Sequence, residues 1–161
     1  MVFGRRAWDK APAEPAGVLL ASAGTPFSGA AVRRAYELAA GQPVAVLTIL
    51  KVYGSSFGLP NPGLLPTRRE RDEQYAIVRR AIAAVERRGG AADGQIAVTR
   101  SAGRTIAKVA RRRRVRYVVM DDSAPSGMRR VTEGSITAIV RRRLGGDAEL
   151  ELVTGAPARN S

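Results

Sequence analysis

The chain has 161 residues, of which 45% are hydrophobic and 25% are charged, a balance typical of one globular domain with a sizeable core. It contains neither Cys nor His, which excludes disulfides, thiolate nucleophiles, the usual zinc sites and imidazole-based catalysis. Lys and Arg outnumber Asp and Glu by 27 to 14, and the resulting net charge of +13 favours attraction to polyanions. We expect a cytoplasmic protein, because no apolar run reaches the roughly 20 residues of a membrane span and the start lacks the apolar centre of a secretory signal.

The composition along the chain predicts three segments. Residues 1–16 mix Ala, Pro and charge without a sustained period, so we expect a flexible basic arm. One domain over 17–155 follows it, and residues 156–161 form a short tail. Within the domain, Gly and Pro recur through residues 51–66, which predicts a long loop rather than a strand or helix.

The first half of the domain predicts two strands joined by a helix, and then a second helix. The apolar run from Val18 predicts a first strand, and the run 44–50 predicts a strand buried on both faces. Ser28 is a suitable N-cap for the helix between them, and Thr67 begins a capping-box pattern for the next helix. The faces predicted to point inward are Val32, Ala35, Tyr36 and Ala39 in the first helix, and Tyr75, Val78, Ile82 and Val85 in the second.

The second half continues the alternation. Residues 95–99 predict a third strand, after which Ser101 is a suitable cap for a helix. Residues 115–120 predict a fourth strand. A last helix is expected from about Glu133 to Arg143, and residues 148–153 alternate with period two, as an edge strand does. Strands and helices that alternate at this spacing predict a doubly wound parallel sheet, in which ligands bind where the carboxyl ends of the strands meet.

The segment that leads from the fourth strand into the last helix resembles the universal stress protein family. Gly134 and Ser135 match the Gly-Ser pair that opens the last helix in that family, and Gly127 lies where a similar residue is usual. Counting back from this pair, the family's two leading glycines correspond to Asp121 and Ala124. The resemblance covers about residues 17–154. It implies a Rossmann-like fold of the adenine nucleotide alpha hydrolase type, with five parallel strands in the order 3-2-1-4-5.

The ligand that the family resemblance implies is an adenine nucleotide such as ATP. Nucleotide-binding members have an acidic residue after the first strand, where this chain has Ala23, Gly24 and Thr25. Carboxylates at 121 and 122 oppose a triphosphate unless an arginine or a magnesium ion intervenes. Three interpretations stay open: loop and helix-start residues only, a pocket for an unidentified small ligand, or an ATP-type site. The candidate ligand-binding residues are Ala23, Gly24, Thr25, Asp121, Ala124, Gly127, Gly134 and Ser135.

A second candidate site follows from the charge pattern. No acidic residue occurs between Asp93 and Asp121, whereas that window contains eight cations. Four of them fall at helical spacing opposite Ile106 and Val109, and a run of three arginines closes the last helix. The alternative is two solvated faces that complement the helix dipoles. The candidate polyanion-binding residues are Arg104, Lys108, Arg111, Arg112, Arg141 and Arg142.

Together these patterns predict a non-enzymatic universal stress-type binding or regulatory protein in the stress response, with a degenerate nucleotide pocket. One alternative is a module that binds RNA, DNA, the ribosome or an acidic partner through the candidate polyanion-binding residues. Another is an adenylating-type enzyme, because the loop SAGTPFS resembles the Ser-Gly-Gly-x-Asp-Ser loop of those enzymes, although it has no Asp. Relatives often pair through the last strand, which implies a homodimer, whereas Glu149 and Glu151 on that strand oppose open edge pairing.

Overall fold

The computed structural model describes residues 14–52, 65–122 and 128–154, with side chains from Ile136 onward in the last range. The predicted tail, most of the predicted arm and most of the predicted long loop lie outside the described residues. No helix in the described ranges is long and apolar enough to cross a membrane. The described elements are β1 (Val18–Ser22), α1 (Gly29–Ala39), β2 (Val44–Lys51), α2 (Arg68–Arg87), β3 (Ala92–Thr99), α3 (Ala102–Arg112), β4 (Tyr117–Asp121), α4 (Met128–Leu144) and β5 (Glu149–Val153).

The strands form one parallel sheet in the order β3-β2-β1-β4-β5, which confirms the predicted fold class. Strand β1 lies at the centre, with Val18 opposite Val44 of β2 and Tyr117 of β4. The strand order reverses direction between β1 and β4. The carboxyl ends of these two strands therefore border the topological switch point of the sheet.

Helices cover both faces of the sheet, and each face has its own core. Helices α1 and α2 pack over strand side chains such as Leu20 and Val46. Helices α3 and α4 pack over the opposite face, where Leu19 and Leu47 point. Successive residues of a strand point to opposite faces, so a central strand that is covered on both sides is largely apolar. All five residues of β1 are buried accordingly.

Two of the three predicted helix caps are confirmed and one is wrong. Ser28 caps α1 by accepting the backbone N–H of Ala31 at 3.0 Å, and Thr67 forms a complete capping box with Glu70. Ser101 lies at the N-cap position of α3, but its side chain makes no cap hydrogen bond. Its backbone N–H donates instead to the Thr99 hydroxyl at 3.1 Å, and its φ of −125° and ψ of 81° differ from the extended backbone of the other two caps.

The predicted start of the last helix is also wrong. Helix α4 begins at Met128 rather than near Glu133, so Gly134 and Ser135 lie inside the helix and do not open it. One interior glycine costs a helix only about 1 kcal/mol, and the Met and Arg residues before it are good helix formers. Strand β3 likewise begins at Ala92, three residues before the predicted start, because it pairs with β2 from Val44 onward.

Helices α3 and α4 approach each other closely at Gly103. A Cβ atom at this position would lie 2.8 Å from Cγ2 and 2.9 Å from Cβ of Ile139. Such distances are shorter than carbon atoms tolerate, so only glycine fits between the two helices without a shift. This contact fixes the spacing between the outward faces of α3 and α4.

The edge strand β5 is tied to α1 by an ion pair. The Arg34 guanidinium donates to Glu151 Oε1 from Nη2 at 2.7 Å and from Nε at 2.9 Å. The hydrogen bond to Glu151 raises the pKa of Arg34 above its ordinary value. The negative charge of Glu151 is therefore paired within the chain, whereas Glu149 is exposed.

Candidate functional site

The end of β4 is joined to the start of α1 by one carboxylate. Asp121, the last residue of β4, accepts the backbone N–H of Ser28 at 2.9 Å through Oδ2. Its other oxygen, Oδ1, accepts a short hydrogen bond from the Ser28 hydroxyl. Both carboxylate oxygens are thus engaged within the protein, at a helix N-terminus whose partial positive charge suits an anion.

The turn that follows β1 is held closed by hydrogen bonds between the Ser22 hydroxyl and the backbone of Thr25. The Ser22 hydroxyl accepts the backbone N–H of Thr25 at 2.9 Å and donates to the Thr25 carbonyl. Gly24 has a φ of +108°, and a Cβ there would lie 3.1 Å from the Ile49 carbonyl oxygen, so glycine is needed at this position. The amide N–H of Thr25 is consequently not available to a phosphate oxygen.

The buried Gln74 of α2 completes this turn. Its Nε2 donates to the Gly24 carbonyl at 2.9 Å, while its Oε1 has no partner among the described residues. Gln74 was not among the predicted site residues, because in the sequence it is an ordinary polar position inside a helix. The available signal was a polar residue on the helix face predicted to point inward, because a buried polar side chain needs a hydrogen-bond partner.

The cavity beside this turn is small. Between the ends of β1 and β4 lies a hollow of about 30 Å³. A cavity needs roughly 10–15 Å³ to hold one water molecule, whereas small-molecule pockets usually have volumes of about 300–1,000 Å³. The hollow is lined by Ala21, Ser22, Ala23, Thr25, Met120, Asp121, Ile136 and Thr137.

The structure brings some of the predicted ligand residues together. Ala23, Thr25 and Asp121 border the hollow, and Gly24 lies between the first two. Ala124 and Gly127 lie outside the described residues. Gly134 and Ser135 belong to α4, whose described side chains begin one position later, at Ile136.

The fold does not bring the six predicted polyanion-binding residues together at one place. Arg104 and Arg142 line one groove between α3 and α4. Arg111 turns to the last turn of α4, where it donates to the Arg143 carbonyl and lies 3.8 Å from Asp147. The remaining three residues are exposed, namely Lys108, Arg112 and Arg141. Arg112 also donates to Gln95 of β3 at 3.2 Å.

Three cations of the groove were not among the predicted polyanion residues. Arg100 and Arg143 belong to the two basic clusters visible in the sequence, and Lys51 ends β2. The sequence could not show that these positions meet, because they lie on different elements. Only the packing of α3 beside α4 on one face of the sheet brings them together.

Comparison with known proteins agrees with the observed fold. A family model described as the Universal stress protein family matches residues 17–144. None of the curated proteins searched matches the chain.

Solved structures of universal stress proteins share the fold at low identity. One, from Archaeoglobus fulgidus in complex with dAMP, is 16% identical, covers 86% of this chain and 98% of its own, and has a TM-score of 0.63. A second, in complex with cAMP, is 18% identical, covers 89% and 100%, and has a TM-score of 0.60. A third, from Arabidopsis thaliana with AMP bound, is 15% identical, covers 91% and 97%, and has a TM-score of 0.52. With the family model covering most of its length, the chain belongs to the universal stress protein family.

Proposed function

We propose that this chain is a non-enzymatic binding protein of the stress response whose carboxyl-edge pocket no longer accepts an adenine nucleotide. The observation that carries the proposal is the bond between Asp121 and Ser28 at the end of β4. In the family pattern the position of Asp121 is a glycine, which leaves room for backbone N–H groups to approach phosphate oxygens.

Charge at this edge opposes a phosphate group. A carboxylate about 4 Å from a phosphate oxygen is repelled by roughly 1–4 kcal/mol, depending on how much water screens the pair. The backbone N–H groups of Thr25 and Ser28, which would otherwise attract an anion, are already engaged by Ser22 and Asp121. Among the described residues, the switch point between β1 and β4 therefore presents a carboxylate, and the backbone donors of Thr25 and Ser28 are already engaged.

Space at this edge opposes the base and ribose as well. Similar proteins bind cAMP, dAMP and AMP, and these compounds define the ligand class that the test must include. The hollow of about 30 Å³ is an order of magnitude smaller than pockets for such molecules.

The test is a thermal shift measurement with AMP, cAMP and ATP, each with and without Mg²⁺. A ligand at about 100 times its Kd stabilises a protein by about 2.7 kcal/mol, which corresponds to roughly 5–10 °C in Tm for a domain of this size. We expect no such rise at millimolar nucleotide. We also expect no release of AMP, ADP or pyrophosphate when ATP is incubated with the protein.

Two glycine variants make the result specific. Gly134→Glu places a carboxylate in the helix that the family pattern assigns to the ligand, and Gly146→Glu places one where an added Cβ has open space around it. A rise in Tm with nucleotide that Gly134→Glu abolishes and Gly146→Glu preserves would overturn the proposal. Mass spectrometry of small molecules that copurify with the protein then identifies any other ligand.

A further inference from the structure

A positively charged groove of about 500 Å³ runs between α3 and α4, on the sheet face opposite α1 and α2. Of the described lining residues, Ile136 is the one that it shares with the small hollow at the carboxyl edge. The charged residues that line it within the described part of the chain are all cations: Lys51, Arg100, Arg104, Arg142 and Arg143.

Four of these cations are available to a ligand. Arg100, Arg104, Arg142 and Arg143 are exposed, and no described carboxylate forms an ion pair with their side chains. Arg111 near the end of α3 and Arg113 just after it differ, since Arg111 lies beside Asp147 and Arg113 is paired with Asp93. A cleft lined by charges of one sign focuses the field and attracts counter-ions.

The fold holds the two cationic walls at a fixed spacing. The contact between Gly103 and Ile139 forms the floor, because both residues line the groove where the helices come closest. Arg100 and Arg104 stand on the α3 side, and Arg142 and Arg143 stand on the α4 side. A linear anion that lies along the groove would therefore meet cations on both walls.

We propose that this groove binds the phosphodiester backbone of a single nucleic-acid strand, a function beyond the one proposed above and independent of it. Four of the five cations are arginines, whose planar guanidinium groups donate paired hydrogen bonds to phosphate oxygens. The exposed cation Lys108 continues the charge along α3 past the groove, which suits an extended anion better than a compact one.

The lining argues against a protein partner. The core of a protein interface is enriched in aromatic side chains, whereas the groove has no aromatic lining residue among those described. The large hydrophobic side chains that are exposed in the described ranges are Leu65 and Val98, and neither lines the groove. Contacts limited to phosphates would make the binding independent of base sequence and strongly dependent on salt.

The experiment measures binding of a fluorescent single-stranded uridine oligomer by anisotropy over a range of NaCl concentrations. The test variant is Arg104→Glu with Arg142→Glu. The matched control is Arg33→Glu with Arg80→Glu, which changes the net charge equally on the opposite face of the sheet, where both residues are exposed. Circular dichroism melts confirm that both variants fold.

We expect the groove variant to lose at least about tenfold in affinity at 50 mM NaCl, while the control stays within about threefold. Each lost phosphate contact lowers the slope of log K against log salt by about 0.7, so two lost contacts lower it by roughly 1.4. Equal loss in both variants would overturn the proposal, because attraction to net charge alone predicts that result. So would equally tight binding of polyglutamate, or binding of inorganic polyphosphate without binding of the oligomer.

Discussion

Arg113, at the end of α3, is buried and paired with Asp93 of β3 through two parallel hydrogen bonds. The distances are 2.7 Å from Nη1 to Oδ1 and 2.6 Å from Nη2 to Oδ2, and the Arg113 side chain is only 2% exposed. Its backbone carbonyl also accepts the N–H of Ala16 at 2.9 Å. This one residue therefore connects a helix end, an outer strand and the entry of the chain into the domain.

We expect Asp93→Ala to destabilise the fold strongly. The substitution leaves the guanidinium of Arg113 buried without its counter-ion, and removal of one partner of a buried pair costs about 3–5 kcal/mol. Partial exposure of Asp93 places the expected loss near the lower end of that range. Urea denaturation of both proteins gives the difference in the free energy of unfolding.

A second substitution identifies the cause of that loss. Asp93→Ala combined with Arg113→Met removes both charges, so we expect the double variant to be more stable than Asp93→Ala alone. If the double variant is less stable than the single one, Arg113 contributes through packing or its bond to Glu14 rather than through its charge pair.

We expect Ser28→Ala to lower the free energy of unfolding by about 1–2 kcal/mol. The variant loses the cap on Ala31 and the hydroxyl donor to Asp121 together. A double-mutant cycle with Asp121→Asn measures the coupling between the two residues, which should reach about 0.5 kcal/mol or more because they are in contact. Additive effects of the two substitutions would contradict the described bond.

We expect Gly103→Ala to destabilise the protein even though alanine is the better helix former. Alanine gains about 1 kcal/mol of helix propensity, but its Cβ would lie 2.8 Å from Ile139 Cγ2. Overpacking of this kind costs about 1–3 kcal/mol. The measurement is Tm by circular dichroism.

Two further variants test that explanation. Gly29→Ala, in the first turn of α1, meets no atom within 4 Å and should not lower Tm. If the clash is the cause, Gly103→Ala should cost less stability in an Ile139→Ala background, which lacks the clashing Cγ2, than in the native chain. An unchanged Tm in Gly103→Ala would mean that the two helices are farther apart than described.

The start of α2 should depend on pH. The backbone N–H of Thr67 donates to Glu70 and, with the side-chain bond to Thr67, holds the pKa of Glu70 below its ordinary value. A carboxylate with a lowered folded pKa stabilises the fold above its ordinary pKa, and this contribution is lost as the pH falls through the folded pKa. Glu70→Gln should therefore be slightly less stable than the native chain at pH 7.

The difference between Glu70→Gln and the native chain should shrink as the pH falls from about 5 to 3. Melting temperatures across that range provide the measurement, with Glu86→Gln at the other end of the helix as the control. A difference that keeps its size down to pH 3 would show that the charge of Glu70 contributes nothing. The effect is small because Glu70 is exposed.

The sequence predicted the sheet well, because each strand carries its own signal. The runs from Val18 and from Val44 are almost entirely apolar, which happens when both faces of a strand are covered. The caps at Ser28 and Thr67 were predictable for a similar reason, since the bonds that define them span only three residues. Local patterns thus located most elements to within a few residues.

The sequence could not predict contacts that depend on distant residues. Asp121 and Ser28 are separated by 93 positions, so nothing near Asp121 indicates which groups its carboxylate would meet. The same holds for Arg113, which reads as one of four consecutive arginines although its counter-ion lies 20 positions away. Long-range pairing also explains the missed start of β3, which depends on its neighbour β2.

The bond between Asp121 and Ser28 also bears on how the protein responds to metabolism. A protein that is stabilised by a dissociable ligand becomes more or less stable as the concentration of that ligand changes. Here the anion at the start of α1 is part of the polypeptide itself, so this junction forms without any dissociable ligand.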